Sequence, residues 1–144
     1  MKNALLLFIM IWHFAVQAKD VIDLKNIEKG VDEMVIVLGK SGLVGQVVKI
    51  SVCYEELGKL DKESPRRYKK FEYCLAMDLA ASKFDYDFAS LGGFHRLEFL
   101  ELENVAQRMK PFEADLQLPP STAEKIMSHV KKYSYTAFKK IHKY

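Results

Sequence analysis

The sequence predicts a small, mainly α-helical protein: a disulfide-stapled bundle of about five helices. Apolar residues recur every three or four positions through most of the chain, which is the spacing of amphipathic helices. Serine and proline stand at positions that are typical of helix starts. The two cysteines, Cys53 and Cys74, lie at equal distances from one of the predicted turns.

The start of the chain has the pattern of a secretory signal peptide. Lys2 supplies a positive charge, and an apolar run follows from Ala4 to Val16 before small and charged residues. A membrane anchor is the competing interpretation, but a spanning helix needs ~20 apolar residues and His13 interrupts this shorter run. We therefore expect a cleaved signal peptide at 1–18, and export to the periplasm or along another secretory route.

The remaining residues, 19–144, are expected to form a single helical domain. Residues 19–42 give the weakest pattern, and a short strand competes with helix near 34–38. Apolar residues at helical spacing then run from Leu43 to Leu60. A strand at 47–52 competes there, because the segment is rich in β-branched residues; the persistence of the spacing favours helix.

A break at 61–64 precedes the next predicted helix. Ser64 is suited to cap it and Pro65 to occupy its first turn, where no backbone donor is needed. Its apolar face extends to about Ser82. Two adjacent glycines, at 92 and 93, then interrupt the helical pattern.

Two further helices complete the predicted bundle. Helical spacing runs from Phe94 through Phe112, and the pair of prolines at 119 and 120 ends it. Ser121 and Glu124 have the spacing of a capping box, which starts a final helix that extends to Tyr144. This last helix carries six lysines and no acid from residue 125 onward. That pattern indicates a solvated face or contact with an anionic cell envelope.

The cysteine pair offers a geometric test of the predicted turn at 61–67. Cys53 and Cys74 are each about ten residues from the middle of this turn, so in an antiparallel helical hairpin they lie at the same height. The expected bridge closes a loop of about twenty residues and stabilises by roughly 3 kcal/mol in the chain-entropy model. Two free, catalytic thiols are the alternative, but neither position has a cysteine-enzyme signature.

Charge and composition exclude some functions. The formal net charge is +3 and falls to +2 once Lys2 leaves with the signal, which is too mild to predict nucleic-acid binding.

No metal site or cofactor is predicted, and membrane contact is expected only through the cleaved signal. His95, Glu98 and Glu101 stand one helical turn apart, so they form either a solvated helix face or a site that binds a metal or shuttles a proton. The solvated face is the commoner outcome, and no catalytic residue is predicted.

An acidic and aromatic segment precedes the paired glycines. Its residues are Asp85, Tyr86, Asp87 and Phe88. One interpretation is structural, with the acids near a helix start and the aromatic rings in the core. The other is a recognition surface, because aromatic side chains in a polar setting anchor protein interfaces.

Two stretches resemble the type VI secretion amidase-immunity proteins. Residues 68–80, with Cys74 followed by apolar residues, are similar to one helix of that family. Residues 87–94 and 97–99 are similar to its Asp-Ala-Ser run leading to Gly-aromatic and Leu-Glu-Phe, and the Lys-rich end at Tyr144 is similar to its tail. One departure stands out, because residues 125–127 hold Lys-Ile-Met where the family usually has a cysteine.

The resemblance implies a small helical periplasmic protein, often a homodimer, without catalysis of its own. Such a protein occludes a peptidoglycan-cleaving amidase that a neighbouring cell delivers. The binding residues carried over to this chain are Asp85, Tyr86, Asp87, Phe88, Gly92, Gly93 and Phe94. We therefore predict a periplasmic immunity or inhibitor protein. A secreted helical carrier of an apolar small ligand is the alternative, and an enzyme that uses His95 and Glu98 is a third hypothesis.

Overall fold

The computed structural model describes residues 21–92 and 95–142. These ranges contain no strand; they form α1 (Leu24–Lys59), α2 (Pro65–Ser90), α3 (Leu102–Leu116) and α4 (Ser121–His142), with a 3-10 helix at Glu98–Leu100. The predicted class, mainly helical with one disulfide, is confirmed. Residues 21–92 and 95–142 hold four α-helices where about five were predicted for the chain, and the short strand near 34–38 is wrong because α1 runs through it. The predicted signal peptide, 1–18, lies outside the described residues.

α1 is one element by its hydrogen bonds, but its backbone turns sharply at Gly42. This residue has φ 63° and ψ −166°, a conformation that only glycine adopts readily. Nζ of Lys49 lies 2.9 Å from Glu33 Oε1, although a straight helix would separate these residues by about 24 Å. The side chain of Gln46 also donates to the carbonyl of Met34, at 2.8 Å. The arms 24–41 and 43–59 are therefore antiparallel, and the helix predicted from Leu43 is the second arm of a hairpin.

By length and composition alone, α1 could cross a membrane, and in the ranges described it is the one helix with that property. Its apolar stretch is 17% buried. This apolar stretch must include the reversal at Gly42. Arm 24–41 has too many charged residues to contain the whole stretch, and arm 43–59 is too short to contain it. Neither arm reaches the ~20 apolar residues that a spanning helix needs. Membrane contact through the signal alone stays a prediction.

α2 lies at the centre of the molecule and contacts α1, α3 and α4. Ser64 caps it by accepting from the backbone amide of Arg66 at 3.3 Å, and Pro65 is its first residue, both as predicted. Every residue from 74 to 82 is buried. Small side chains let neighbouring helices come close: a Cβ added at Gly30 of α1 would stand 2.8 Å from the Tyr73 carbonyl oxygen of α2. Burial on all sides makes α2 the rigid axis of the bundle.

The predicted disulfide is confirmed. Cys53 on the second arm of α1 and Cys74 on α2 are bonded, with Cα atoms 5.7 Å apart, and both are buried. The arm and the helix are antiparallel, because the Lys70 ammonium pairs with Glu56 on the side of the cysteines nearer the turn. The bridge fixes two of the helices that form the core.

The last two helices flank α2 in opposite directions. Arg108 and Asp115 of α3 pair with Asp78 and Arg67 of α2, so the chain order is reversed and these helices are antiparallel. α4 follows the direction of the first arm of α1, since Glu28 and Asp32 meet His129 and Tyr133 in the same order. The helix expected from residue 94 begins only at Leu102.

Candidate functional site

The acidic and aromatic segment forms the last turns of α2, at one end of the bundle. Asp85, Tyr86, Asp87 and Phe88 are helical, since α2 extends to Ser90 and not only to about residue 82. Gly92 follows in the turn with φ 95°, a conformation that favours glycine. Gly93 and Phe94, also predicted as binding residues, lie outside the described residues.

Asp85 is buried and holds the loop that follows α2. Its carboxylate accepts a hydrogen bond from the backbone amide of Leu97 at 3.1 Å and another from Nε of Arg96 at 3.2 Å. Its side chain is 1% exposed, so it offers no surface to a partner in this conformation. Asp85 positions the loop beside the exposed end of α2.

The neighbours of Asp85 are exposed. Tyr86 is 59% exposed, Phe88 37% and Leu91 84%. Tyr135 of α4, 69% exposed, lies across a groove from the last two. We call these four residues the α2–α4 face. The carboxylate of Asp87 pairs with Lys83 one turn earlier, so the face is apolar and aromatic with its nearest acid neutralised.

A cavity of 280 Å³ opens on one side of this face, between α2, α4 and the start of α3. Its walls are apolar and come from Leu79, Leu102, Met127 and Val130. Lys83, Arg96 and Lys131 also line it, together with Tyr86 and Ser82, and no acid does. We call it the Lys131 cavity. An apolar floor with a cationic rim suits an apolar group that carries a negative charge.

A second cavity of 210 Å³ lies on the other side of Lys83. Phe84, Phe88 and Phe138 line it, with Leu91 and Tyr135 at its mouth. The ring of Phe84 packs edge-on against Phe138, with centroids 5.3 Å apart. The α2–α4 face is therefore a grooved surface with apolar depressions on either side of one lysine.

Another cavity, of 520 Å³, lies near the opposite end of α2, and charged side chains are among the residues that line it. Its lysines are already engaged: Lys70 pairs with Glu56, and Lys69 with Asp23. Each of these two lysines is therefore compensated by an acid. We interpret it as the groove between α1 and α2.

The three residues predicted to stand one helical turn apart, His95, Glu98 and Glu101, do not lie on a single helix. His95 is in an irregular segment, Glu98 begins the 3-10 helix, and Glu101 precedes α3. Three different backbone conformations replace the regular one-turn spacing that a proton shuttle on a helix face requires. Within 21–92 and 95–142, no group of three or more His, Cys, Asp or Glu residues could hold a metal ion.

The charged interior of the bundle was not predicted from the sequence. Asp78 is fully buried and accepts two hydrogen bonds from Arg108, at 2.9 and 2.7 Å. Arg108 also donates to the Phe99 carbonyl and stacks on the Phe99 ring, with its guanidinium carbon 3.8 Å from the centroid. Desolvation raises the pKa of Asp78 above its usual value, and Arg108 opposes this shift. The ion pair between these two side chains holds α3 on α2.

Sequence reasoning also missed the contribution of α4 to the site. Met127, Val130 and Lys131 line the Lys131 cavity although they lie more than thirty residues from the predicted segment. The lysines of α4 were recognised as a charged run, but no local signal shows which of them faces α2. Comparisons of the chain with protein-family models, curated proteins and solved structures find no match.

Proposed function

We propose that this chain is a non-catalytic, exported inhibitor of the immunity type, which binds and occludes a peptidoglycan-cleaving amidase. The α2–α4 face is the binding surface in this proposal. The observation that carries it is the exposure of Tyr86 and Phe88 on α2, Leu91 in the turn that follows, and Tyr135 on α4. Large apolar side chains at the centre of an interface supply most of its binding energy.

Rigidity supports a role in inhibition. The face is built on α2, whose centre is buried on all sides and is joined to α1 by the disulfide. Asp85 fixes the adjoining loop through Leu97 and Arg96. A preformed surface loses little conformational entropy on binding, which favours tight occlusion.

The disulfide and the leader support export. A buried, fully formed bridge is typical of proteins from oxidising compartments. The leader at 1–18 has the charge and apolar pattern of a cleaved signal. A periplasmic location would place the protein beside the cell wall that the amidase attacks.

The experiment mixes the exported protein with the cell-wall amidase encoded next to it. We expect a complex on size-exclusion chromatography and loss of peptidoglycan hydrolysis. Leu91→Glu and Tyr135→Glu each place a charge on the face, and each should weaken the complex at least tenfold. Neither side chain is buried, so both variants should fold.

Val48→Glu is the matched control. Val48 is 59% exposed on α1 and lines neither cavity of the face, so its replacement should leave binding unchanged. Absence of both complex and inhibition with the native protein would refute the amidase proposal. Equal weakening by Val48→Glu would show that the α2–α4 face is not the binding surface.

One observation favours the second candidate, a secreted carrier of an apolar small ligand. The Lys131 cavity is open and apolar, and at 280 Å³ it is slightly below the range of about 300–1,000 Å³ common for ligand pockets. Native mass spectrometry of the protein purified from its own cells tests this role. A bound small molecule supports the carrier, whereas a mass equal to the bare chain counts against it.

A further inference from the structure

We propose that the Lys131 cavity binds a small amphipathic carboxylate, an apolar chain of about eight carbons with one negative charge. The carrier candidate depends on the same cavity, and this binding is independent of whether the protein inhibits an amidase.

The walls select an apolar chain. Leu79 of α2, Leu102 at the start of α3, and Met127 and Val130 of α4 contribute side chains from three separate helices. Leu102 is 51% exposed, so a ligand that covers it removes apolar surface from water. Burial of each methylene contributes a favourable free energy that increases with chain length.

The rim selects a negative charge. Two of its cations are already compensated, since Lys83 pairs with Asp87 and Arg96 with Asp85. Lys131 makes no ion pair with any residue in the described part of the chain. The rim therefore carries one uncompensated positive charge beside an apolar space, which matches a monoanion better than a neutral or cationic ligand.

The volume limits the length of the chain. At about 30 Å³ per water-sized group, 280 Å³ holds roughly nine such groups. A carboxylate with an eight-carbon chain fills this space while its head reaches the rim. Longer chains would extend along α2 towards the second cavity beyond Lys83.

Titration calorimetry of octanoate into the exported, purified protein tests the proposal. We expect saturable one-to-one binding with a Kd below about 1 mM. Butanoate should bind at least tenfold more weakly, because it buries four fewer methylenes. Octylamine, with the same number of carbons and the opposite charge, should also bind at least tenfold more weakly.

The variants Lys131→Glu and Lys132→Glu form a matched pair. Both residues are exposed neighbours on α4 and both changes alter the net charge equally, but Lys132 does not line the cavity. Lys131→Glu should weaken octanoate binding at least tenfold, and Lys132→Glu by less than twofold. Melting curves will show that both variants are folded. Equal effects of the two variants, no octanoate binding, or equal binding of octylamine would each overturn the proposal.

Discussion

Two buried carboxylates on α2 have different roles, which their partners define. Asp85 accepts from a backbone amide and from Arg96, and it fixes a loop beside the exposed face. Asp78 faces Arg108 across a helix interface and fixes α3. Both are aspartates in one amphipathic helix, and their sequence neighbourhoods do not distinguish them. Their partners lie eleven and thirty residues away, so the structure was needed to separate the two roles.

The buried pair gives a prediction for stability and its pH dependence. Arg108→Ala should lower the free energy of unfolding at pH 7 by about 3–5 kcal/mol, because Asp78 is left charged and buried. Loss of Arg108 should raise the pKa of Asp78 further, since this arginine now opposes the effect of burial. The folded Arg108→Ala protein then binds more protons than its unfolded chain as the pH falls from 7 towards 3.8, the ordinary pKa of an aspartate. Its stability deficit should shrink over that interval.

Urea unfolding at several pH values between 4 and 7 measures this effect. Lys110→Ala is the control, because Lys110 is exposed on the same helix. Its effect should stay within about 0.5 kcal/mol at every pH. A deficit in Arg108→Ala that is below 1 kcal/mol, or that grows as the pH falls, would contradict our account of the pair.

Among the elements, α1 shows what a sequence pattern can and cannot reveal. The helical spacing predicted from Leu43 is confirmed, whereas no sequence signal predicted the reversal at Gly42 that joins this arm to the preceding one. The apolar run at 35–38 was open to a strand interpretation because β-branched residues fit both structures. It is helical in the structure, and the buried residues Val31, Met34 and Val35 have the three- and four-residue spacing of one helix face.

The hairpin within α1 depends on one residue. Gly42→Ala should lower the free energy of unfolding by about 1–3 kcal/mol, since alanine is strained at φ 63° and ψ −166°. Nothing lies within 4 Å of the added Cβ, so the cost comes from the backbone and not from a clash. Denaturant unfolding of the variant measures it.

Gly58→Ala provides a control with the same chemical change in the same element. Gly58 has helical geometry and open space around the added Cβ. Alanine should stabilise there by about 0.5–1 kcal/mol. The two substitutions are therefore expected to have opposite signs, and a Gly42→Ala protein as stable as Gly58→Ala would show that the turn is not strained.

For the molecule as a whole, the class and the cross-link were predictable, but the site was only partly so. The cysteine spacing around the turn at 61–67 predicted the bridge because a hairpin is a local structure whose geometry follows chain order. The exposed rings of Tyr86 and Phe88 lie in the acidic and aromatic segment, for which a recognition surface was one of two interpretations of the sequence. The opposite wall, with Tyr135 and Lys131, comes from α4, and no chain-local rule fixes which of its faces meets α2.

The disulfide adds stability to a bundle that also has a continuous core. The double change Cys53→Ala and Cys74→Ala should lower the free energy of unfolding by about 3 kcal/mol, because the unfolded chain regains the freedom of a loop closed over a separation of 21 residues. The fold should remain, since the residues of α2 that are buried before and after Cys74 are unchanged. Far-UV circular dichroism will check the helix content and thermal melting the stability.

Reduction of the native protein should give the same loss by a different route. Both sulfur-bearing residues are almost fully buried, with Cys53 4% and Cys74 0% exposed, so a reductant reaches the bridge only when the helices separate. Reduction at low temperature should therefore be slow and should accelerate in mild denaturant. A melting curve unchanged by the double substitution would mean that the core alone sets the rigidity of the α2–α4 face, and the inhibitor proposal would then have to stand without the bridge.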